Sequence, residues 1–297
     1  MIAPESASSE EVVLVSPFLL LDIFVVTVMF AIGLRVSRSD LMSALRNRRL
    51  LLRALLANCV IVPALGFLLA ALLPMEPDQR LGLLLLAAIP GTPVALQFTR
   101  KAKSSLAIAA GMIFLLTVVS LAITPLALEV MPQAAVSHHP RPLLRLLETL
   151  LLYLALPLWA GLTLSHRAPR LTSRLVMPLN IFATVTFLAL MLETREFRRQ
   201  AMKSLSLNPL AAIVLLIVLA MVTGWFLGGP DRESRRVLAT STSMRSVVIC
   251  FYITRYWFPG TEVYVMPLVY LSLMVPINAV FTLCEKWAER RSHTVPA

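Results

Sequence analysis

The sequence predicts an all-α integral membrane protein of about nine transmembrane helices in one domain, two of them broken at membrane depth. Three observations carry this expectation. Of 297 residues, 58% are hydrophobic and 14% charged, with mean hydropathy +0.80. A soluble domain carries about 25% charged residues, so a soluble enzyme and a disordered chain are both excluded. Apolar runs long enough to cross a bilayer recur from one end to the other. The basic residues, finally, sort by side of the membrane.

The helices are expected at 12–34, 50–73, 81–99, 104–131, 143–164, 174–192, 208–228, 235–257 and 263–285. Residues 1–11 hold three acids and no base. A secretory signal begins with a basic stretch, so the first apolar run is expected to remain as a span. The joints RVSRSDLMSALRNRR, PMEPDQR, RKAK, PQAAVSHHPRP, SHRAPRLTS, ETREFRRQAMKS, GPDRESRR and FPGT separate the spans. All are short, which makes residues 1–297 a single transmembrane domain.

With the N-terminus outside and the sides alternating, 18 Lys and Arg residues fall in inner joints and seven in outer ones. That is the asymmetry of the positive-inside rule. It places the C-terminus in the cytoplasm, in a plasma or inner membrane. It also accounts for the net charge of +11 without a nucleic-acid partner. Cys59, Cys250 and Cys284 all sit in apolar runs and form no CxxC or zinc spacing, so they read as small buried hydrophobes. His138 and His139 have no Cys or acid cluster beside them in the sequence, and no metal site is expected. Walker A, GxGxxG, HExxH and nucleophile-elbow patterns are missing, which leaves a secondary transporter, a channel or a membrane sensor rather than an enzyme.

Two spans carry interruptions. The third holds Pro90, Gly91 and Pro93 within four residues, and proline both removes a donor and clashes with the preceding turn. The eighth holds Thr240-Ser241-Thr242-Ser243, with Arg245 directly after. Unwound backbone at this depth is tolerated only where protein buries it or a wet cavity borders it, and in secondary transporters such breaks mark the substrate and ion site. A proline kink and a Ser/Thr patch bonded to its own backbone is the plainer alternative. DIFVVTVMFA (22–31) is similar to NIFATVTFLA (180–189); these helices run in opposite senses, as an inverted repeat requires.

Asp22 and Arg245 are the charges that fall deep within spans, where a charge costs about 2.5–3.5 kcal/mol on insertion scales. Arg245 is read either as a cation that replaces sodium or pairs with an anionic substrate, or as an arginine satisfied by exposed carbonyls and hydroxyls. Asp22 is read as a proton-titrating group, as a partner of Arg245, or as a polar residue reached by water. Thr92, Ser241, Thr242, Ser243 and Ser246 at the breaks, with Gly91 and Gln97 beside the first, complete the candidate site. Asn58 and Asn278 stand out as polar residues in apolar runs, for which interhelical hydrogen bonding is the default.

The chain resembles the bile acid:sodium symporter family along nearly its whole length. The matching pieces, in order, are MFAIGL (29–34), VIVPALGF (60–67), LLAAIPG (85–91) with Thr99–Lys103, ITP (123–125), LALPLWAGL (154–162), DRESRRVLATSTSM (231–244) and MPLVY (266–270). The resemblance implies an inverted-repeat transporter fold in which two broken helices cross. A panel of helices near 12–34, 143–164 and 174–192 would move against a core near 50–131 and 208–285. It also implies a small organic anion as substrate.

The family's ion ligands are replaced here. Where the family has Gly-Thr-x-Ser-Asn after the first Pro-Gly, this chain has Thr92-Pro93-Val94-Ala95-Leu96. At the positions aligned with the hydroxyls that the family's following helix supplies, this chain has Ala109 and Ile113. In the second broken helix, Glu-x-Gly-x-Gln-Asn becomes Ser241-Thr242-Ser243-Met244-Arg245-Ser246. Sodium, a hard cation, wants several oxygens, so no bound sodium or other cofactor is expected. The expected function is a secondary transporter of a small organic anion. An efflux carrier of related fold and a transporter-derived membrane sensor or binding protein are the alternatives.

Overall fold

The computed structural model describes residues 7–36, 45–90 and 143–294, together with positions 42, 112, 114–116, 118–119 and 123. Among these residues every regular element is a helix. Helix α1 spans Ala7–Arg35. Helix α2 (Arg48–Leu56) passes through a π-helical turn, Ala57–Ile61, into α3 (Val62–Leu72). Helix α4 spans Pro77–Ala88. Helix α5 (Leu143–Leu150) passes through a second π turn, Leu151–Ala155, into α6 (Leu156–Arg167). Then follow α7 (Pro169–Glu193), α8 (Arg195–Ser204), α9 (Leu207–Leu227), α10 (Arg232–Ser243) and α11 (Val247–Trp257). A 3₁₀ turn, Glu262–Tyr264, leads into α12 (Val265–Thr294).

Five of these helical stretches are long and apolar enough to cross a membrane: Arg48–Leu72, Pro169–Glu193, Leu207–Leu227, Arg232–Arg255 and Glu262–Glu285. Gly91, Thr92, Gln97 and much of the expected fourth span lie outside the described residues. The Arg232–Arg255 stretch is 89% buried within the protein and Pro169–Glu193 only 17%. The former is therefore interior, whereas α7 turns Met177, Val185, Leu188 and Leu192 outward.

Local chemistry sets the helix ends. Glu76 precedes α4, and the Gln79 side chain reaches back to accept from its backbone N–H at 3.2 Å, half of a capping box. The helix stops at Ala88 because Pro90 follows. Ile89, the residue before proline, is extended at φ −97°, ψ 103°, as the proline ring demands. Asp231 caps α10 by accepting from the Ser234 N–H at 2.9 Å. Each π turn stands just before a proline, Pro63 or Pro157, in the second position of the following helix. A widened turn drops a hydrogen bond that proline cannot make.

Helices α1, α6 and α7 pack on one another, and α9 packs against α10, α3, α4 and α12. The α1–α6 crossing is backbone against backbone. A methyl group on Gly33 would lie 2.2 Å from the Leu158 carbonyl oxygen, and one on Gly161 would lie 2.3 Å from that of Phe30. Between membrane helices, small residues of this kind permit close approach. The α9–α10 crossing is similar, with a methyl on Gly224 falling 2.5 Å from the Leu238 carbonyl oxygen.

Two expectations need correction. The polar joint 193–204 contains a helix, α8, whose ten residues bring charged and apolar side chains to different faces. The interruption of the eighth span falls later than the Ser/Thr run. Thr240–Ser243 are still helical, and the break covers Met244–Ser246. The hydroxyls do not unwind the helix, because those of Ser241 and Ser243 lie 3.2 Å from the carbonyls of Leu238 and Thr240 three residues back. Meanwhile Met244 N–H closes the last turn on Thr240.

Candidate functional site

Two carbonyl oxygens orphaned by prolines, a third beside them and one guanidinium make the centre of the site. In α4, the carbonyl of Leu86 would ordinarily accept from the amide four residues on. That residue is Pro90, which has no N–H. In the π turn, Val62 N–H donates to Ala57. Asn58 would then accept from residue 63, which is again a proline. A buried carbonyl without a partner costs about 1–3 kcal/mol, and both prolines create that cost at the same depth.

Arg245 answers it. Its Nε donates to the Leu86 carbonyl at 3.0 Å and its Nη2 to the Ala87 carbonyl at 2.5 Å. Nη2 also donates to the Asn58 carbonyl at 3.3 Å, and Nη1 to Asn58 Oδ1 at 2.9 Å. The side chain is fully buried at 0% exposure. Four hydrogen bonds engage four of the five N–H groups that a guanidinium carries. Among the described residues no carboxylate is paired with it. The negative end of a helix dipole takes that place: α4 ends at Ala88, and the Leu86 and Ala87 carbonyls of its last turn lie on the guanidinium.

The break is braced from two other helices. Asn58 donates through Nδ2 to the Ala54 carbonyl at 3.0 Å and to Thr242 Oγ1 at 3.3 Å. From α12, the Tyr270 hydroxyl donates to the Ser243 carbonyl at 2.5 Å, and Asn278 Oδ1 accepts from the Ser243 hydroxyl at 2.8 Å. Asn278 itself is oriented by donating to Met274 at 2.8 Å. Thr240, Ser241, Thr242, Ser243 and Ser246 are all buried. Among the described residues the Thr240 hydroxyl has no hydrogen-bond partner.

Of the residues expected from sequence, Ser241, Thr242, Ser243, Arg245 and Ser246 thus gather around one break. Asp22 stands apart from Arg245: its Oδ1 accepts from the Tyr252 hydroxyl, joining α1 to α11. The Tyr252 ring leans on Tyr153 of the second π turn, with centroids 5.4 Å apart. Asn58, Asn278, Tyr270 and the carbonyls of Leu86 and Ala87 enter the site without having been assigned to it. The two asparagines are visible as amides in apolar runs. The signal for the carbonyls is the position of Pro90, four residues after Leu86.

This geometry accompanies a family match. The family model described as the sodium bile acid symporter family matches residues 22–226, which include Asn58, Leu86 and Ala87. The P3 protein of Bos taurus is 25% identical over 158 residues, 52% of this chain and 33% of that protein. The chain thus spans about a third of that relative's length. The family match extends over more than half of the sequence, and the apolar spanning helices are those of a multi-pass membrane protein. The chain belongs to the sodium bile acid symporter family.

Proposed function

We propose that the chain is a secondary transporter of a small organic anion in which the Arg245 guanidinium does the structural work of a bound cation, so that transport does not require sodium. The observation that carries this reading is the set of four hydrogen bonds from Arg245 to Leu86, Ala87 and Asn58. In transporters with broken helices, unwound carbonyls and half-helix C-termini coordinate the coupling cation. Here a covalently attached cation occupies such a cluster of oxygens. A sodium ion about 4 Å from it would be repelled by roughly 4 kcal/mol at an effective dielectric of 20. Arg245 attracts an anion through its charge more than through its donors, since most of those are already engaged.

The orientation proposed is N-terminus outside and C-terminus in the cytoplasm, in a cell membrane. Uptake of radiolabelled carboxylates into proteoliposomes, with sodium exchanged for potassium, tests the function. Equal rates in the two salts are expected, with loss of uptake in Arg245→Gln. A steep sodium requirement in the unmodified protein would overturn the proposal.

A further inference from the structure

A second cationic site lies away from Arg245, where α8 meets α12. An open cavity of about 520 Å³ there is lined by Arg195, Arg198, Arg199, Met202, Lys203 and Ser272. From this geometry we infer that the cavity holds the phosphate headgroup of an anionic phospholipid. The inference stands independently of the transport reading.

The charge is unbalanced and held in place. Glu196 pairs with Arg195 at 3.2 Å and approaches Arg199 at 3.9 Å. Among the described residues that carboxylate pairs with two of the four cations. Arg198 is fixed by donating to the Met191 carbonyl and to Thr194 Oγ1, both at 2.8 Å. It ties α8 to the end of α7 and holds the cluster at the mouth of the cavity. Arg195 and Arg199 are 69% and 65% exposed; Glu196 takes the Nε–Nη2 edge of Arg195, which leaves its Nη1 side and the Arg199 guanidinium for the bidentate contacts that phosphate oxygens favour.

Position selects the source of the phosphate. Helix α8 joins Pro169–Glu193 directly to Leu207–Leu227. A ten-residue helix between two spans lies at the membrane–water boundary. Phe197 and Met202 project from it, 41% and 39% exposed. Directly before it, α7 turns Leu188 and Leu192 outward at 55% and 72%. A headgroup held by the cations would thus lay its acyl chains along an apolar face already turned to lipid. A soluble phosphate would leave that face unused. The charge count adds a second reason. In the proposed orientation this helix carries four of the seven outer basic residues, against the usual bias, and a headgroup neutralises them where they stand.

Native mass spectrometry of the purified full-length protein, delipidated and titrated with phosphatidylglycerol or phosphatidylcholine, tests the inference. The expected result is about tenfold preference for phosphatidylglycerol, lost in the double variant Arg199→Gln, Lys203→Gln. Neither side chain supports the α7–α8 junction, and circular dichroism checks the fold of the variant. The control Arg170→Gln, Arg174→Gln removes equal charge from the other end of α7 and is expected to leave the preference intact. Equal retention of the two lipids overturns the inference, as does equal loss in both double variants. Displacement of the lipid by millimolar glycerol phosphate would also overturn it, by showing that the site takes any soluble phosphate.

Discussion

The Nε of Arg245 donates to the carbonyl oxygen of Leu86 at 3.0 Å, across 159 positions of sequence. Each residue explains the other. Leu86 lacks a helical donor because Pro90 stands four residues later. Arg245, with no carboxylate paired to it among the described residues, is stable at 0% exposure because carbonyls left over by prolines surround it.

This mutual dependence predicts strong coupling between Arg245 and Asn58. Asn58→Leu keeps the branched shape at a larger volume but removes the Oδ1 acceptor and the bonds to Ala54 and Thr242. A lost hydrogen bond to a buried charge costs about 1.5–3 kcal/mol. Arg245→Gln leaves carbonyls of two helices unsatisfied, at about 1–3 kcal/mol each. The double variant is expected to be less destabilised than the sum of the single variants, by at least about 1 kcal/mol. Thermal melting of the four proteins in detergent measures the cycle. Additivity would show that the two side chains act separately.

Asn58→Asp separates bracing from charge. A carboxylate at this position loses the Nδ2 donor to Ala54 and Thr242 but makes a direct ion pair with Arg245 through the Nη1 contact, and these changes offset, so melting within a few degrees of the unmodified protein is expected. The pair is then neutral, and anion uptake should fall at least about tenfold, since an attraction of 1.4 kcal/mol corresponds to that factor. Undiminished uptake would remove the Arg245 charge from the mechanism.

The crossing of α1 with α6 predicts intolerance of any side chain at Gly33 or Gly161. A methyl at either position would sit about 2.2–2.3 Å from a backbone carbonyl oxygen, and the backbones must separate to admit it. Overpacking of this kind costs about 1–3 kcal/mol. Lower melting temperatures are expected for Gly33→Ala and Gly161→Ala, while Gly260→Ala, with nothing within 4 Å, meets no such contact. Its φ of +77° still imposes strain, so the comparison isolates the crossing only if the Gly33 and Gly161 variants melt lower than Gly260→Ala.

Asp231 supplies a pH dependence. The backbone N–H of Ser234, and then its hydroxyl, hold this exposed carboxylate below its ordinary value of 3.8. A depressed folded-state value means that the cap contributes its stability above the unfolded value and loses it as pH falls through the folded one. The melting-temperature gap between the unmodified protein and Asp231→Ala should therefore be constant from pH 7 to about 5 and should shrink below about pH 4. A gap that persists at pH 3 would show that the carboxylate charge has no part in capping α10.

Single cysteines at positions 5 and 295 test the orientation read from the basic residues. They are expected to react with an impermeant maleimide from opposite faces of sealed vesicles. Labelling from one face would reverse the parity of the helix count on which the proposed orientation depends.

By itself the sequence determined the solvent, most of the apolar spans, the family and the end of α4 before Pro90. These are local properties: a run of about 20 apolar residues needs no tertiary partner to favour the bilayer, and Pro90 cannot donate whatever surrounds it. It also pointed to Arg245, because a buried charge in an apolar run is costly anywhere. What the guanidinium does was decided only by tertiary structure, since its acceptors on Asn58, Leu86 and Ala87 lie 187, 159 and 158 positions away. The place of the second break has the same origin. Ser and Thr hydroxyls are compatible with a helix or with a break, and here that of Ser241 bonds back along the helix while that of Ser243 goes to Asn278. The chain opens at Met244–Ser246, where Arg245 can reach the carbonyls freed by Pro63 and Pro90 while Tyr270 takes up the exposed Ser243 carbonyl.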